Sequence, residues 1–237
     1  MQLVDIHHHI VYGMDDGARN REAMQSMLRV AYENGVHDLI ATSHALPGLK
    51  EFPAQTYLDN LHEGQAWCDA QGWDMKLHTG SEIYFTEDAP RLVSDGYIPT
   101  LDETWYVLVE FGPDAGFERI CRAARQFGNY GYSMVLAHFE RYDTMRSDKH
   151  IQELRGDYGV LLQMNTQTIT GRHGFFRDRW VRKVLDAGYV DMVGTDAHNT
   201  TTRACNLAQC YEQLKEDYGP TYAYQLCGGK QREILRF

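Results

Sequence analysis

Short apolar runs alternate with longer amphipathic stretches from one end of this chain to the other, and each apolar run is followed at once by a metal-type or hydrogen-bonding side chain. The runs predict seven strands, at residues 3–6, 36–41, 75–78, 105–109, 132–137, 160–164 and 189–194. Helical patterns lie between and after them, at 19–34, 54–71, 118–127, 151–157, 175–186 and 203–218. Such alternation implies parallel strands joined by crossover helices. In chain order the polar ends are His7 with His9, His44, Glu82, Glu110, His138, Asn165, and Asp196 with His198. In a β/α barrel the C-terminal strand ends converge on one rim, so residues far apart in sequence meet there. The expected fold is therefore α/β, a seven-stranded β/α barrel formed by residues 1–237 as one domain, with its site at that rim.

Composition narrows the chemistry. With 23 Lys and Arg against 33 Asp and Glu, the formal charge is −10, which disfavours a nucleic-acid backbone as the main ligand. Any phosphate must meet positive charge supplied locally. Five cysteines with no C-x-x-C pair suggest reduced thiols rather than a disulfide framework or a zinc ribbon. No apolar stretch approaches the ~18 residues of a membrane span, and residues 1–5 lack a signal-peptide layout, so a cytoplasmic protein is expected. Glycine-rich phosphate loops and a G-x-S-x-G elbow are both missing from the sequence.

The rim residues suit a divalent cation. Strand residues two apart point to the same side, so His7 and His9 can face one ion while His8 turns away. The acidic loop at Asp15-Asp16-Gly17 offers Asp16. Neutral imidazoles with carboxylates favour first-row divalent metals over a thiolate zinc site. The candidate ligands are His7, His9, Asp16, His44, Glu82, Glu110, His138, Asp196 and His198, nine in all and too many for one ion. A cluster of two or three fits better, since converging carboxylates repel one another unless cations intervene. Paired metals activate water and clamp phosphoryl oxygens. Arg141 and Arg203 fall on loops of the same rim, and a planar guanidinium binds phosphate through two parallel hydrogen bonds. Asp16 and a water on the cluster both stand as general acids. His37, His62, His78, His150 and His173 have no ligand-spaced neighbour and read as surface or hydrogen-bonded side chains, and Asn165 as an orienting group. The nearest approach to a C-x5-R loop, Cys227 to Arg232, is one residue short, which argues against a thiolate nucleophile.

The stretches Asp5-Ile6-His7-His8-His9-Ile10, Asp15-Asp16-Gly17, Thr42-Ser43-His44, Gly80-Ser81-Glu82-Ile83-Tyr84, Val109-Glu110-Phe111, Ala137-His138-Phe139-Glu140-Arg141-Tyr142 and Thr195-Asp196-Ala197-His198-Asn199 resemble the polymerase-and-histidinol-phosphatase (PHP) superfamily. Within it they are most similar to the manganese-dependent protein-tyrosine phosphatases of bacterial capsule and exopolysaccharide clusters. The resemblance spans nearly the whole chain. It implies a distorted (β/α)7 barrel, two or three manganese ions (iron and zinc share the ligand types), and hydrolysis of phosphotyrosine by metal-activated water. The implied substrate is the tyrosine-rich tail of a cognate bacterial tyrosine kinase, with no nucleic acid, no membrane insertion, and oligomerisation open. By that pattern His7, His9, Glu82 and Asp196 hold one ion, Glu82, Glu110 and His138 a second, and Asp16, His44 and His198 the third, while Arg141 and Arg203 bind phosphate. Two departures are His8, where the family commonly has a small residue, and Thr200-Thr201-Thr202 in place of an acidic and glycine turn before Arg203.

Other readings are a PHP-type phosphatase of a small ester such as histidinol phosphate, an amidohydrolase-like hydrolase, and a non-catalytic metal-binding module. Amidohydrolases normally bridge their metals with a modified Lys at the fourth strand, where this chain has Glu110.

Overall fold

The computed structural model describes residues 2–235. Its first half runs β1 (Leu3–His8), α1 (Arg21–Glu33), β2 (Val36–Ala41), β3 (His44–Ala45), α2 (Ala54–Ala70), β4 (Lys76–Thr79), β5 (Glu82–Tyr84), α3 (Ala89–Ser94) and β6 (Tyr106–Glu110). The second half runs α4 (Phe117–Asn129), β7 (Ser133–Leu136), α5 (Asp148–Tyr158), β8 (Leu161–Asn165), α6 (Thr166–Thr170), α7 (Phe175–Asp186), β9 (Met192–Gly194), α8 (Leu207–Tyr218), α9 (Pro220–Tyr224) and α10 (Lys230–Leu235). Local signals set several boundaries. Asn20 caps α1 by accepting the Ala23 N–H at 2.9 Å, and Ser147 caps α5. Gly159 ends α5 in the left-handed conformation that glycine adopts without steric cost.

The strands pair in parallel, in the orders β1-β2-β4 and β3-β5-β6-β7-β8-β9. The sheet curls on itself. Beyond β9 the Asp196 N–H donates to the His7 carbonyl at 2.8 Å and the His9 N–H to the Ala197 carbonyl at 2.9 Å, tying the last strand back to the first. The result is an α/β fold with a curled parallel sheet, consistent with a distorted TIM-like barrel. Inside the curl lie Val4, Ile6, Ile40, Leu108, Val135 and Met192, joined by Ile234 and Leu235 of α10. A larger core fills the space between sheet and helices. Among the described residues no helix is long and apolar enough to cross a membrane.

Three differences from the expected elements bear on the site. The expected strand at 75–78 is observed as β4 and restarts as β5, so Glu82 begins a strand instead of following one. At the break sits Gly80, where a Cβ would come within 2.6 Å of Ile40; only glycine lets the chain pass so close. Likewise His44 begins the short β3, and Glu110 is the last residue of β6. The last expected helix starts at Leu207 rather than 203, because the Arg203 carbonyl accepts the His198 N–H at 2.9 Å and its N–H donates to Asn199 Oδ1 at 3.0 Å. Those bonds close a loop that keeps Arg203 at the rim. Beyond the expected elements, α9, a π-helical turn (Gln225–Gly229) and α10 carry buried Cys227 and Ile234 against β1 and β9.

Away from the strand ends that carry the rim residues, His78 is held between two carboxylates, Nε2 3.1 Å from Asp38 and Nδ1 3.1 Å from Asp102, while Arg232 reaches Asp38 at 3.0 Å. Burial opposes a charge on His78, but the hydrogen bonds to Asp102 and Asp38 prevail and raise its pKa to about 9. The folded state thus holds this proton more tightly than the unfolded chain. The resulting stability is fully present below pH 6.5 and is lost as pH rises through about 9. After allowance for partial solvent exposure it is of order 1–2 kcal/mol. Urea unfolding of the native protein and His78→Gln should differ by that amount at pH 6 and converge near pH 9.5; a gap independent of pH would show that the charge on His78 contributes nothing.

Candidate metal centre

The strand ends bring the nine expected ligands together. Three sets have ligand atoms that all lie within 4.8 Å of one another: His7, His9, Glu82 and Asp196; His44, Glu82 and Glu110; and His9, Asp16, His44 and His198. The first coincides with the set that the resemblance implies. In the second, His44 takes the place expected of His138, whose Nε2 lies 2.7 Å from Glu82 Oε1 and 3.8 Å from Glu110. The third gains His9. Glu82 is at the centre, with Oε2 3.3 Å from His7, 3.2 Å from His9 and 3.1 Å from His44.

Neighbours fix which ring nitrogen faces inward. His7 Nδ1 lies 3.1 Å from Gln163 Oε1, His9 Nδ1 2.9 Å from Asp15, and His198 Nδ1 2.9 Å from the Asp196 carbonyl. With Nδ1 so engaged, each Nε2 is left for the cluster, the usual arrangement of metal-ligating histidines. Asp15 also accepts the His44 N–H at 2.9 Å, and Gln163 accepts the His138 N–H at 2.8 Å. Sequence reasoning assigned no role to Asp15 or Gln163. A signal existed for Gln163, a polar residue two before Asn165 on the same face of β8. Asn165 orients a neighbour as expected, its Nδ2 donating to Asp196 at 2.9 Å.

Two rim residues hold strained backbone. His138 and Asp196 have φ of 32° and 53°, a left-handed conformation unfavourable for residues with a Cβ. The bond from His138 N–H to Gln163 and that from Asp196 N–H to His7 hold both in place. Gly17 folds the acidic loop over the rim so closely that a Cβ would meet the His9 carbonyl, and at Gly194 one would come within 2.7 Å of His7 Cβ.

The electrostatics fit cations. Burial opposes protonation of His9, yet Asp15, Asp196 and Glu82 raise its pKa well above the ordinary value. His44 is likewise raised to about 10, against burial, by Glu110 and Glu82. Glu82 is itself held well below the usual carboxylate range, despite burial, by His7 and by the hydrogen bond from His138. Glu82 Oε2 and His44 Nδ1 nevertheless face each other at 3.1 Å without hydrogen-bond geometry, and His198 Nε2 is buried in the same way. Ligand atoms that converge this closely without well-formed hydrogen bonds fit divalent ions, and mixed imidazole and carboxylate ligands fit first-row metals. His8, also buried with both ring nitrogens unpartnered and its pKa lowered to about 3 chiefly by burial, belongs to none of the three sets.

Both arginines reach the rim and meet at one carboxylate: Arg141 Nη2 lies 2.5 Å from Asp196 Oδ2 and Arg203 Nη2 2.9 Å from Asp196 Oδ1. Arg203 also approaches Asp16 at 3.6 Å, and Asp16 itself is 65% exposed. The other histidines lie outside the three sets: His37 meets Asp74 at 2.9 Å, and His150 packs on Phe117 with Nδ1 2.8 Å from the Thr144 carbonyl. All five cysteines are buried and unpaired.

Comparison with known proteins agrees with this picture. CpsB of Streptococcus pneumoniae, a tyrosine-protein phosphatase, is 30% identical over 98% of this chain and 98% of its own. A solved structure from the pair YwqE of Bacillus subtilis and CpsB of Streptococcus pneumoniae, described as unique metal-dependent tyrosine phosphatases, superposes with a TM-score of 0.88 at 24% identity, over 99% of this chain and 94% of that one. A mutant organophosphorus hydrolase from Deinococcus radiodurans shares the fold alone, with a TM-score of 0.60 at 11% identity over 98% and 92% of the two chains. The family model described as capsular polysaccharide synthesis, CpsB/CapC, matches residues 3–236, and the chain belongs to that family.

Proposed function

We propose that this chain is a metal-dependent protein-tyrosine phosphatase that hydrolyses phosphotyrosine on a bacterial tyrosine kinase of capsule or exopolysaccharide synthesis, working in the cytoplasm with manganese. The observation that carries the reading is the rim itself: eight imidazoles and carboxylates in three overlapping sets, with His138 against Glu82 and two arginines beside them, on a chain of the CpsB/CapC family. The family match across residues 3–236 supports one catalytic domain. Counting β2 with β3 and β4 with β5 as bent single strands gives seven positions around the curl, the distorted (β/α)7 barrel of the PHP type.

Divalent ions in such sites lower the pKa of bound water toward neutrality and offset charge on phosphoryl oxygens. His7, His9, Glu82 and Asp196 would hold one ion, Glu82 and Glu110 with His44 or His138 a second, and Asp16, His44 and His198 a third. The protein's own groups do the rest. Arg141 and Arg203 orient the phosphoryl group and offset its growing charge through their outward N–H groups. Asp15 and Gln163 keep His9 and His7 aimed inward. The phenolate leaving group, with pKa about 10, needs only modest assistance, which either a water on the cluster or Asp16, where it does not hold an ion, would give.

The test compares kcat/KM for a phosphotyrosyl peptide and for histidinol phosphate, with Mn²⁺ added to both. The peptide should be favoured tenfold or more, about 1.4 kcal/mol in the barrier; a preference for histidinol phosphate would reassign the enzyme to small esters.

A further inference from the structure

Two cavities adjoin beside the metal centre. The first, of about 250 Å³, has His44, Asp15 and Glu110 on one side and Met14, Leu46 and Phe52 on the other. It therefore joins cation-binding chemistry to an apolar wall. The second, of about 410 Å³, continues outward along Leu49, Leu92, Tyr97 and Ile98 and shares Lys50, Glu51 and Phe52 with the first. Leu49 is 72% exposed and Tyr97 61% exposed, although large apolar side chains gathered in one groove usually mark a binding surface. Lys50 and Glu51 stand together at the junction of the two cavities and set a cation beside an anion where the polar part of the groove meets the apolar part.

We infer that this continuous groove seats the polypeptide around the phosphotyrosine: the aryl ring packs against Phe52 in the inner cavity, and a neighbouring apolar residue of the substrate lies between Leu49 and Tyr97 in the outer one. The inference rests on the phosphatase reading and adds a sequence preference to it. Two features of the groove select this occupant. It opens directly from His44 and Glu110, so a chain that carries the reacting phosphate can run along it, and its lining changes from charged at the Lys50 and Glu51 junction to apolar beyond. A small ester would leave the outer cavity empty, whereas a tail with an apolar side chain beside its phosphotyrosine fills both. Burying one such side chain is expected to be worth close to a tenfold effect on KM.

The experiment uses the full chain with Mn²⁺ and three substrates: p-nitrophenyl phosphate, a phosphotyrosyl peptide with leucine on both sides of the phosphotyrosine, and the same peptide with serine there. In Tyr97→Ala and Leu49→Ala the KM for the leucine peptide should rise about five- to tenfold with kcat held. The serine peptide and p-nitrophenyl phosphate, which do not fill the outer cavity, should shift less than twofold. Equal changes on all three substrates, or none on any, would overturn the groove assignment while leaving the phosphatase reading intact. A change in oligomeric state on size exclusion, with peptide KM unaffected, would also overturn it by assigning this face to a contact between copies. Failure of the unsubstituted protein to turn over any of the three would instead refute the phosphatase reading.

Discussion

Glu82→Gln is expected to lower phosphotyrosine turnover by about a thousandfold, the upper scale for loss of one group that stabilises a transition state, while leaving the fold intact. Glu82 is the one carboxylate shared by the His7 set and the Glu110 set, and it is 1% exposed. Glutamine matches its shape and still offers one oxygen to His138, so the packing persists. What changes is the charge, and with it an NH2 donor now points at imidazole nitrogens that must present lone pairs. Both sets lose their shared anion, and bound metal measured by elemental analysis should fall together with activity. The far-ultraviolet circular dichroism should match that of the unsubstituted protein. A folded Glu82→Gln protein that keeps its metal and turns over within tenfold of normal would refute the shared-ligand arrangement.

Much of this centre was legible from pattern because a parallel α/β fold brings strand ends together whatever the loops do. His7 and His9, two apart on β1, needed only strand periodicity, and His44, Glu82, Glu110 and His138 needed only the recurrence of a polar residue after each apolar run. Less legible was how the rim is subdivided. His44 reaches both Glu110 and Asp16 because β2 breaks at Thr42 and Ser43 and resumes as the two-residue β3, a kink that leaves no mark in hydrophobic periodicity. The supporting groups were hidden for another reason. Asp15 stood beside a better-placed candidate in Asp16, and its role depends on a loop closed by Gly17 against the His9 carbonyl. The chain after α8 was invisible to strand counting, since Ile234 and Leu235 pack inside the curl from a helical segment of no distinctive pattern. Arg203 looked like the start of a helix on propensity, and only the Asn199 side chain and the His198 N–H show why it stays in the loop.

Arg141→Ala should reduce kcat/KM on phosphotyrosine about a hundredfold, as removal of one well-placed donor to a developing anion typically does. The structure separates this loss from unfolding. Asp196 would lose the 2.5 Å contact from Arg141 but keep Arg203 at 2.9 Å and the Asn165 amide at 2.9 Å, so its buried charge remains paired. A guanidinium has five N–H donors, and the Asp196 contact of each arginine uses a single Nη2, leaving others for phosphoryl oxygens. Arg141→Lys should recover little, since an ammonium cannot make two parallel bonds to one phosphoryl group. Arg203→Ala should cost a similar factor. The double substitution should fall short of the product of the two, because both arginines act on one group of atoms and share one carboxylate. Inhibition by inorganic phosphate should weaken in step, separating lost anion binding from lost metal. Unchanged phosphate inhibition in Arg141→Ala would show that this arginine only braces Asp196, and the assignment of the pair as the phosphate clamp would fall with it.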